Sequence, residues 1–381
     1  MPGEPSRTGR IGLNYFGLRF RTTAARWVCV GAVAASCATS RPAHELRFEQ
    51  PLLVTGDPEL QKLNDEELFA QGSSAFAAGD FRQASRFLDR LADFYPDSPH
   101  RREAIYKSGL AYEKAKKWEE AGSRFAQLAD AERGTGDALE AALQLAATLY
   151  FQERYSDAEQ ILGTIAARSD LPISTVIEAK VQRGVCEVEL GKSEIAERTL
   201  REAVELYQEQ TDKHDIDESY PAQGEFFLGE IYRLRSEGVS LRPEQDAEQL
   251  ARELEYKAEL LLSAQGHYLR AIRIGDRYWS TASGAQIGML YENLYSNLIN
   301  SPVPKQLNDE EAEIYRQELR KRVRGLVTKA INIYERTLEA AERIGSSGVF
   351  VDRTRESLRK LKEILVADGQ REDEEKKAAG R

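Results

Sequence analysis

Cysteine, histidine and methionine are scarce in this chain, and each scarcity removes a class of function. The 381 residues hold three Cys, four His and two Met. Cys29 and Cys37 flank the end of a short apolar run, and Cys186 stands apart from them. With the first two removed or modified, one thiol is left and no disulfide framework can form. His44, His100, His214 and His267 are scattered, with no pair at metal-ligand spacing. No metal and no cofactor are therefore expected. No P-loop or zinc motif occurs, and no Ser or Cys sits in a nucleophile context. The chain reads as a protein with no catalytic residues and no small-molecule substrate. An excess of positive charge is also missing. The formal net charge is −10, which argues against nucleic acid as a partner. The apolar run at 27–36 is too short for a bilayer span, which needs about 20 residues. At 41% hydrophobic and 30% charged, the composition is that of a folded, helical chain.

What is present is a repeat. Ala84, Ala121, Ala158 and Ala196 lie 37, 37 and 38 residues apart. About twelve positions before each stands a small residue: Gly72, Gly109, Ala146 and Gly184. Phe81, Trp118 and Tyr155 precede the first three alanines by three positions. Leu88, Phe125, Leu162 and Leu200 follow by four. A fixed period of this size signals stacked helix pairs, each burying its core only against its neighbours. A small residue on one helix and an alanine on the next let two backbones approach, and large residues fill the gaps between pairs.

These residues resemble the tetratricopeptide repeat (TPR). The first unit, about 65–96, supplies Gly72, Gly79, Phe81, Ala84, Leu88 and Pro96. The second, about 100–131, supplies Gly109, Tyr112, Trp118, Ala121, Phe125 and Leu128. The third, about 137–168, supplies Leu145, Ala146, Tyr155, Ala158, Leu162 and Ile165. The fourth, about 173–209, supplies Gly184, Gly191, Ala196, Leu200 and Ala203. The stretch Tyr95 to Tyr112 is similar to TPR units of Gram-negative outer-membrane lipoproteins that assist β-barrel assembly. Beyond residue 210 the pattern stretches. Leu228-Gly229 and Tyr232 open a fifth unit whose alanine is displaced to Ala264, followed by Tyr268 and Ala271. Ile287-Gly288 and Tyr291 open a sixth, completed by Ala330 and Tyr334. The inserts at 236–258 and 296–326 read as lengthened helices, with Pro243 and Asp309 near their starts. Residues 315–338 resemble the TPR lipoprotein of the bacterial adventurous-gliding machinery. The expected fold is thus all-α: a TPR-type α-solenoid of about six helix pairs, the last two elongated, plus a C-terminal capping helix. That cap, in 346–366, starts at Asp352 and carries Leu358, Leu361, Ile364 and Leu365 on one face. Residues 367–381 have no apolar face and are expected to be disordered.

The N-terminus reads as an address. Five arginines precede the run WVCVGAVAAS, which Cys37 follows. Basic region, short apolar run and small residues describe a secretory signal over 1–36. Ala34-Ala35-Ser36-Cys37 resembles the lipobox of bacterial lipoproteins, which implies acylation of Cys37. Ala38, where an aspartate would imply inner-membrane retention, implies the outer membrane. Loss of five arginines and Glu4 with the leader would move the charge from −10 to −14. Residues 37–63, with Pro42, Pro51, Gly56 and Pro58, read as a lipidated N-terminus and tether. Regular units then occupy 64–210 and long ones 211–345.

The resemblance places certain first-helix residues in an inner groove: Phe69, Phe76, Tyr106, Leu110, Leu143, Tyr150, Phe151, Val181, Val185 and Phe226. An apolar, aromatic groove of this kind receives helices or extended peptides. Glu66, Glu103, Glu140 and Glu178 recur at the same register near the start of each unit, 37, 37 and 38 residues apart, where the helix dipole favours a carboxylate. Of the residues that grip a C-terminal carboxylate in chaperone-binding TPRs, Lys114 alone has a counterpart, so that clamp is missing. The expectation is a non-catalytic scaffold on the periplasmic face of the outer membrane. It would gather other envelope proteins, in gliding motility or outer-membrane protein assembly. A peptidoglycan-associated binding or regulatory module and a cytoplasmic TPR scaffold are the alternatives.

Overall fold

A computed structural model of the chain describes residues 59–131, 136–239, 247–300, 303 and 307–379. The leader, Cys37, most of the expected tether and Pro243 lie outside the described residues. The chain divides into two compact units, one ending at Arg133 and the other beginning at Gly134. Among the described residues there are thirteen α-helices, one 3-10 turn and no strand.

The first unit holds α1 (Asp65–Ala77), α2 (Phe81–Phe94), α3 (Arg101–Lys114) and α4 (Trp118–Ala131). Asn64 starts α1 with a capping box: its side chain accepts from Glu67 N–H while Glu67 reaches back to Asn64 N–H. Along α2, Ala84, Leu88 and Leu91 recur at helical spacing and are fully buried, while Arg82, Gln83 and Asp93 face water. Burial of Leu88 alone contributes roughly 2 kcal/mol. Pro96 stops the helix, and Arg101 Nε donates to the Ala92 carbonyl of its last turn at 2.9 Å. The tether ends sooner than residue 63. Leu60, in the 3-10 turn Leu60–Lys62, is buried in the core with Leu68, Ala84 and Leu88.

The second unit continues with α5 (Gly136–Phe151), α6 (Tyr155–Ala166), α7 (Ile173–Glu189), α8 (Ser193–Glu209), α9 (Ser219–Gly238) and α10 (Ala247–Ile274). It ends with α11 (Arg277–Ile299), α12 (Asp309–Ile344) and α13 (Val349–Ala379). Within this unit each second helix packs on its own first helix and on the first helix of the next pair. First helices also form a row, α7 on α9, α9 on α11, α11 on α13. This is the packing of a solenoid. The long second helices are packed only in part. In α12, Val323, Val327, Ala330, Tyr334 and Ala341 are buried, whereas over 309–322 only Ala312 is. That solvated half is covered by pairs such as Arg316–Glu313 and Lys321–Glu318, both 3.2 Å, each worth about 0.2–0.5 kcal/mol.

Small residues close each pair. A Cβ on Gly72 would stand 2.7 Å from Leu88 Cγ, one on Gly109 2.7 Å from Phe125 Cε1, and one on Gly184 2.6 Å from Leu200. The long pairs repeat the contact with the partner displaced along the chain: Gly229 under Tyr268 and Gly288 under Tyr334. The turn inside each regular pair has one residue at positive φ: Gly79 (80°), Lys116 (58°), Glu153 (61°) and Gly191 (72°). The repeat therefore imposes the same left-handed turn even where no glycine supplies it.

The end of the chain differs from the sequence-based expectation. The last helix starts at Val349 and runs to Ala379, through the segment expected to be disordered. Leu361 is buried, and Leu358, Ile364 and Leu365 pack against Val327, Ala330, Ile331 and Tyr334. Once that stretch is anchored, each further residue costs little to add. The following Glu, Lys, Arg and Ala are helix formers, and no proline interrupts them.

Candidate interaction surface

The predicted groove residues separate into two groups. In the first unit Phe69, Phe76, Tyr106 and Leu110 are half-buried, so each offers part of its surface to solvent. The Phe69 ring stacks on His100 with centroids 4.5 Å apart and planes 10° apart. Lys107 Nζ sits 4.6 Å from the same ring and also contacts Ser73 Oγ (3.1 Å) and Glu103 (2.8 Å). Phe76 meets Phe81 edge-on at 5.6 Å, and Tyr106 meets Phe125 at 5.8 Å. These contacts fix the rings in place. An ordered aromatic surface beside a cation loses little entropy when a partner binds.

In the second unit only Leu143 keeps a half-buried position. Tyr150, Phe151, Val181, Val185 and Phe226 lie in the core. They therefore do not line an open groove. Tyr150 packs edge-on against Tyr155 at 5.2 Å, and its hydroxyl donates to Glu189 at 3.0 Å. Phe226 is the centre of an aromatic cluster, with Trp279 at 5.0 Å, Phe227 and Tyr268 at 5.6 Å and Phe350 at 6.1 Å. Helix α9 touches α7, α8, α10 and α11, and Phe350 at the start of α13 closes over Phe226. Apolar area that the repeat pattern assigns to a partner is here used for folding.

Polar groups tie the pairs together. Tyr112, three residues after Gly109, donates to Asp89 of the preceding pair, as does Ser108. Arg124 completes the set at 2.9 Å from Asp89 and 2.6 Å from Asp93. Tyr232, three residues after Gly229, donates to Glu197 at 2.5 Å, and Tyr291, three after Gly288, donates to Gln265 at 3.2 Å. The glutamate ladder divides too. Glu66 and Glu103 lie in first helical turns, where the dipole argument holds. Glu140 and Glu178 lie deeper in α5 and α7, and Glu178 accepts from Tyr220 of the next first helix.

Sequence reasoning missed two buried carboxylates in α9. Glu230 is fully buried and accepts from Arg233 (3.0 Å), from the Tyr268 hydroxyl and from Gln286 Nε2. Glu225, 2% exposed, accepts from Arg270 Nε at 2.9 Å and lies 2.7 Å from His267 Nδ1. Burial lowers the His267 pKa against the pull of Glu225, so the ring is held toward its neutral form. Burial lowers the pKa of Arg233, but Glu230 and Glu237 raise it by more, so its net shift is upward. The visible signal was two glutamates five apart among Phe226, Phe227, Leu228 and Ile231.

Among the described residues no group of three or more His, Cys, Asp or Glu is placed to hold a metal ion. The Cys186 thiol is buried, and that burial, with Glu159, Glu189 and Glu187 nearby, raises its pKa and keeps it protonated. The cleft between Arg233, Lys257, Leu290 and Asn297 encloses about 10 Å³, room for about one water. Lys257 spans its edge to the Ser236 carbonyl at 2.5 Å, where the α9 dipole ends.

A family model described as tetratricopeptide repeat matches residues 68–98 and 103–132. Those two helix pairs match the tetratricopeptide repeat. They are the pairs that carry Phe69, Phe76, Tyr106 and Leu110. Solved structures with similar helix arrangements include a double mutant of MamA RS-1, at 17% identity and TM-score 0.36, covering 52% of this chain and 95% of that one. The apo form of RapI matches at 13% identity and TM-score 0.42, covering 79% and 97%. A tetratricopeptide repeat protein from Parabacteroides merdae matches at 13% identity and TM-score 0.38, covering 78% and 98%. A search of curated proteins returns no significant match.

Proposed function

We propose that this chain is a non-catalytic scaffold, lipid-anchored through Cys37 to the outer membrane and facing the periplasm. The half-exposed aromatic surface of the TPR pairs, Phe69, Phe76, Tyr106 and Leu110 beside Lys107, is the observation that carries the interaction role. Its rings are preorganised, and its apolar character suits a helix or extended peptide of another envelope protein. The anchor rests on the leader sequence and its lipobox-like end. No described helix is long and apolar enough to cross a membrane. The machine served is one of gliding motility or of outer-membrane protein assembly, on the sequence resemblances given above.

Two measurements test the two halves of this reading. Cys37→Ser should move the chain from the membrane to the soluble envelope fraction, and an unchanged distribution would count against the anchor. Cross-linking in intact cells should join the wild-type chain to membrane proteins. The pair Phe69→Ala and Tyr106→Ala should reduce those cross-links at least fivefold with the helical spectrum retained. Undiminished cross-linking would remove this surface from the account.

A further inference from the structure

Helix α10 buries one side and leaves a second apolar side uncovered. Lys257, Leu260, Ala264, Tyr268 and Ala271 face the core. On a separate face, Leu254, Ala258, Leu262, Leu269 and Ile272 follow one another at spacings of four, four, seven and three, so they share one stripe. Leu262 is 67% exposed, Leu269 45% and Leu254 39%. At about 1.5 Å per residue the stripe is about 27 Å long. Large apolar residues lined up in water mark a contact surface rather than chance exposure.

The charges beside the stripe indicate what covers it. Glu255 and Glu259 flank its first half, and Arg273 flanks its second half on the same side. All three are exposed, and none forms an ion pair with another described residue. Elsewhere on α10 the surface charges are paired, as in Arg252–Glu248 at 2.6 Å. We infer that a second copy of this chain docks here, α10 against α10 in antiparallel two-fold symmetry centred near Ser263. That operator sets Leu254 opposite Ile272 of the other copy and the two Leu262 side chains near the axis. It also brings Glu255 of each copy alongside Arg273 of the other, twice. A parallel two-fold would put these charges of the two copies on opposite sides of the seam and leave them unpaired, so the charges select the antiparallel one. One helix face of this length makes a small contact, so the dimer forms reversibly with concentration.

Sedimentation equilibrium of the full chain over a range of concentrations tests this. The expected result is a mass rising from 42.9 kDa toward twice that value, and falling back at high salt. Leu262→Glu with Leu269→Glu should hold the chain monomeric with an unchanged helical spectrum, since both side chains are exposed. Arg273→Glu should weaken the dimer about tenfold, and adding Glu255→Arg should restore it. A monomer at every concentration would overturn the proposal, as would a dimer indifferent to Leu262→Glu. Cross-links joining α10 to residues 1–58 of the same chain would assign the stripe an internal occupant and equally overturn it.

Discussion

Leu88, Phe125 and Leu200 close over Gly72, Gly109 and Gly184 with carbon alone. Tyr268 and Tyr334 close over Gly229 and Gly288 with rings whose hydroxyls reach carboxylates, Glu230 and Glu292. The short pairs are thus held by apolar contact that any well-shaped side chain supplies. The long pairs add a fixed polar anchor, so the ring over the glycine cannot slide. A long second helix has more possible registers against its partner than a short one. A hydroxyl that must meet one buried carboxylate selects among them, because a wrong register strands both groups.

The largest effect is expected from breaking that anchor. Glu230→Leu removes the buried carboxylate that Arg233 pairs with and that the Tyr268 hydroxyl donates to. The second unit should lose about 3–5 kcal/mol, read as earlier thermal loss of helix signal and faster amide exchange in α9 to α11. An unchanged melting curve would mean that the polar closure is incidental.

Next comes the rigidity of the closing side chain. Gly288→Ala pushes a Cβ into a tyrosine ring pinned at its far end by Glu292, at 2.7 Å from the hydroxyl. Gly72→Ala meets a leucine that can turn. The first should cost about 3 kcal/mol and the second about 1 kcal/mol, compared through denaturation midpoints of the two variants. Equal losses would erase the distinction between short and long pairs.

The smallest effect concerns a carboxylate that the short pairs leave unanchored. Glu113 in α3 is 7% exposed, and its Oε2 has no hydrogen-bond partner. Burial pushes its pKa from 4.5 up to about 7, opposed only by Lys114. Below pH 4.5 both folded and unfolded forms are protonated. Between 4.5 and 7 the unfolded chain ionises while the folded one keeps its proton, so stability falls as pH rises. Above 7 the loss is constant. Glu113→Gln should match the wild type at pH 4 and exceed it by on the order of 2 kcal/mol at pH 8. If the gain is the same at both pH values, ionisation of Glu113 is not its source.

The helix pairs were legible because their signal is local. An alanine every 37 residues and a small residue twelve before it survive in the sequence whatever the surroundings. The displaced alanines Ala264 and Ala330 were legible for the same reason, and with them the lengthening of α10 and α12. The start of α12 could be read from Asn308-Asp309-Glu310-Glu311, which forms a capping box. The candidate surface was legible only where the structure leaves it open. Phe69 and Phe226 hold comparable places in the repeat pattern, yet one meets solvent and the other is enclosed by Trp279, Tyr268 and Phe350. Nothing within one repeat distinguishes them, since the enclosing residues come from 42 to 124 positions further along the chain. Glu225 and Glu230 escaped notice for a related reason. A glutamate on a helix reads as a solvated one until its partners are known.

Periodicity, spacing and small-residue placement by themselves fixed the class of fold, the pairing of helices and the lengthening of the last two pairs, because each depends on contacts set by position within a repeat. Which aromatic residues face water, how far the tether and the last helix extend, and where buried carboxylates find partners were decided by tertiary packing. Those outcomes depend on side chains remote in sequence that compete for the same apolar surface, and burial is a property of the neighbours rather than of the residue.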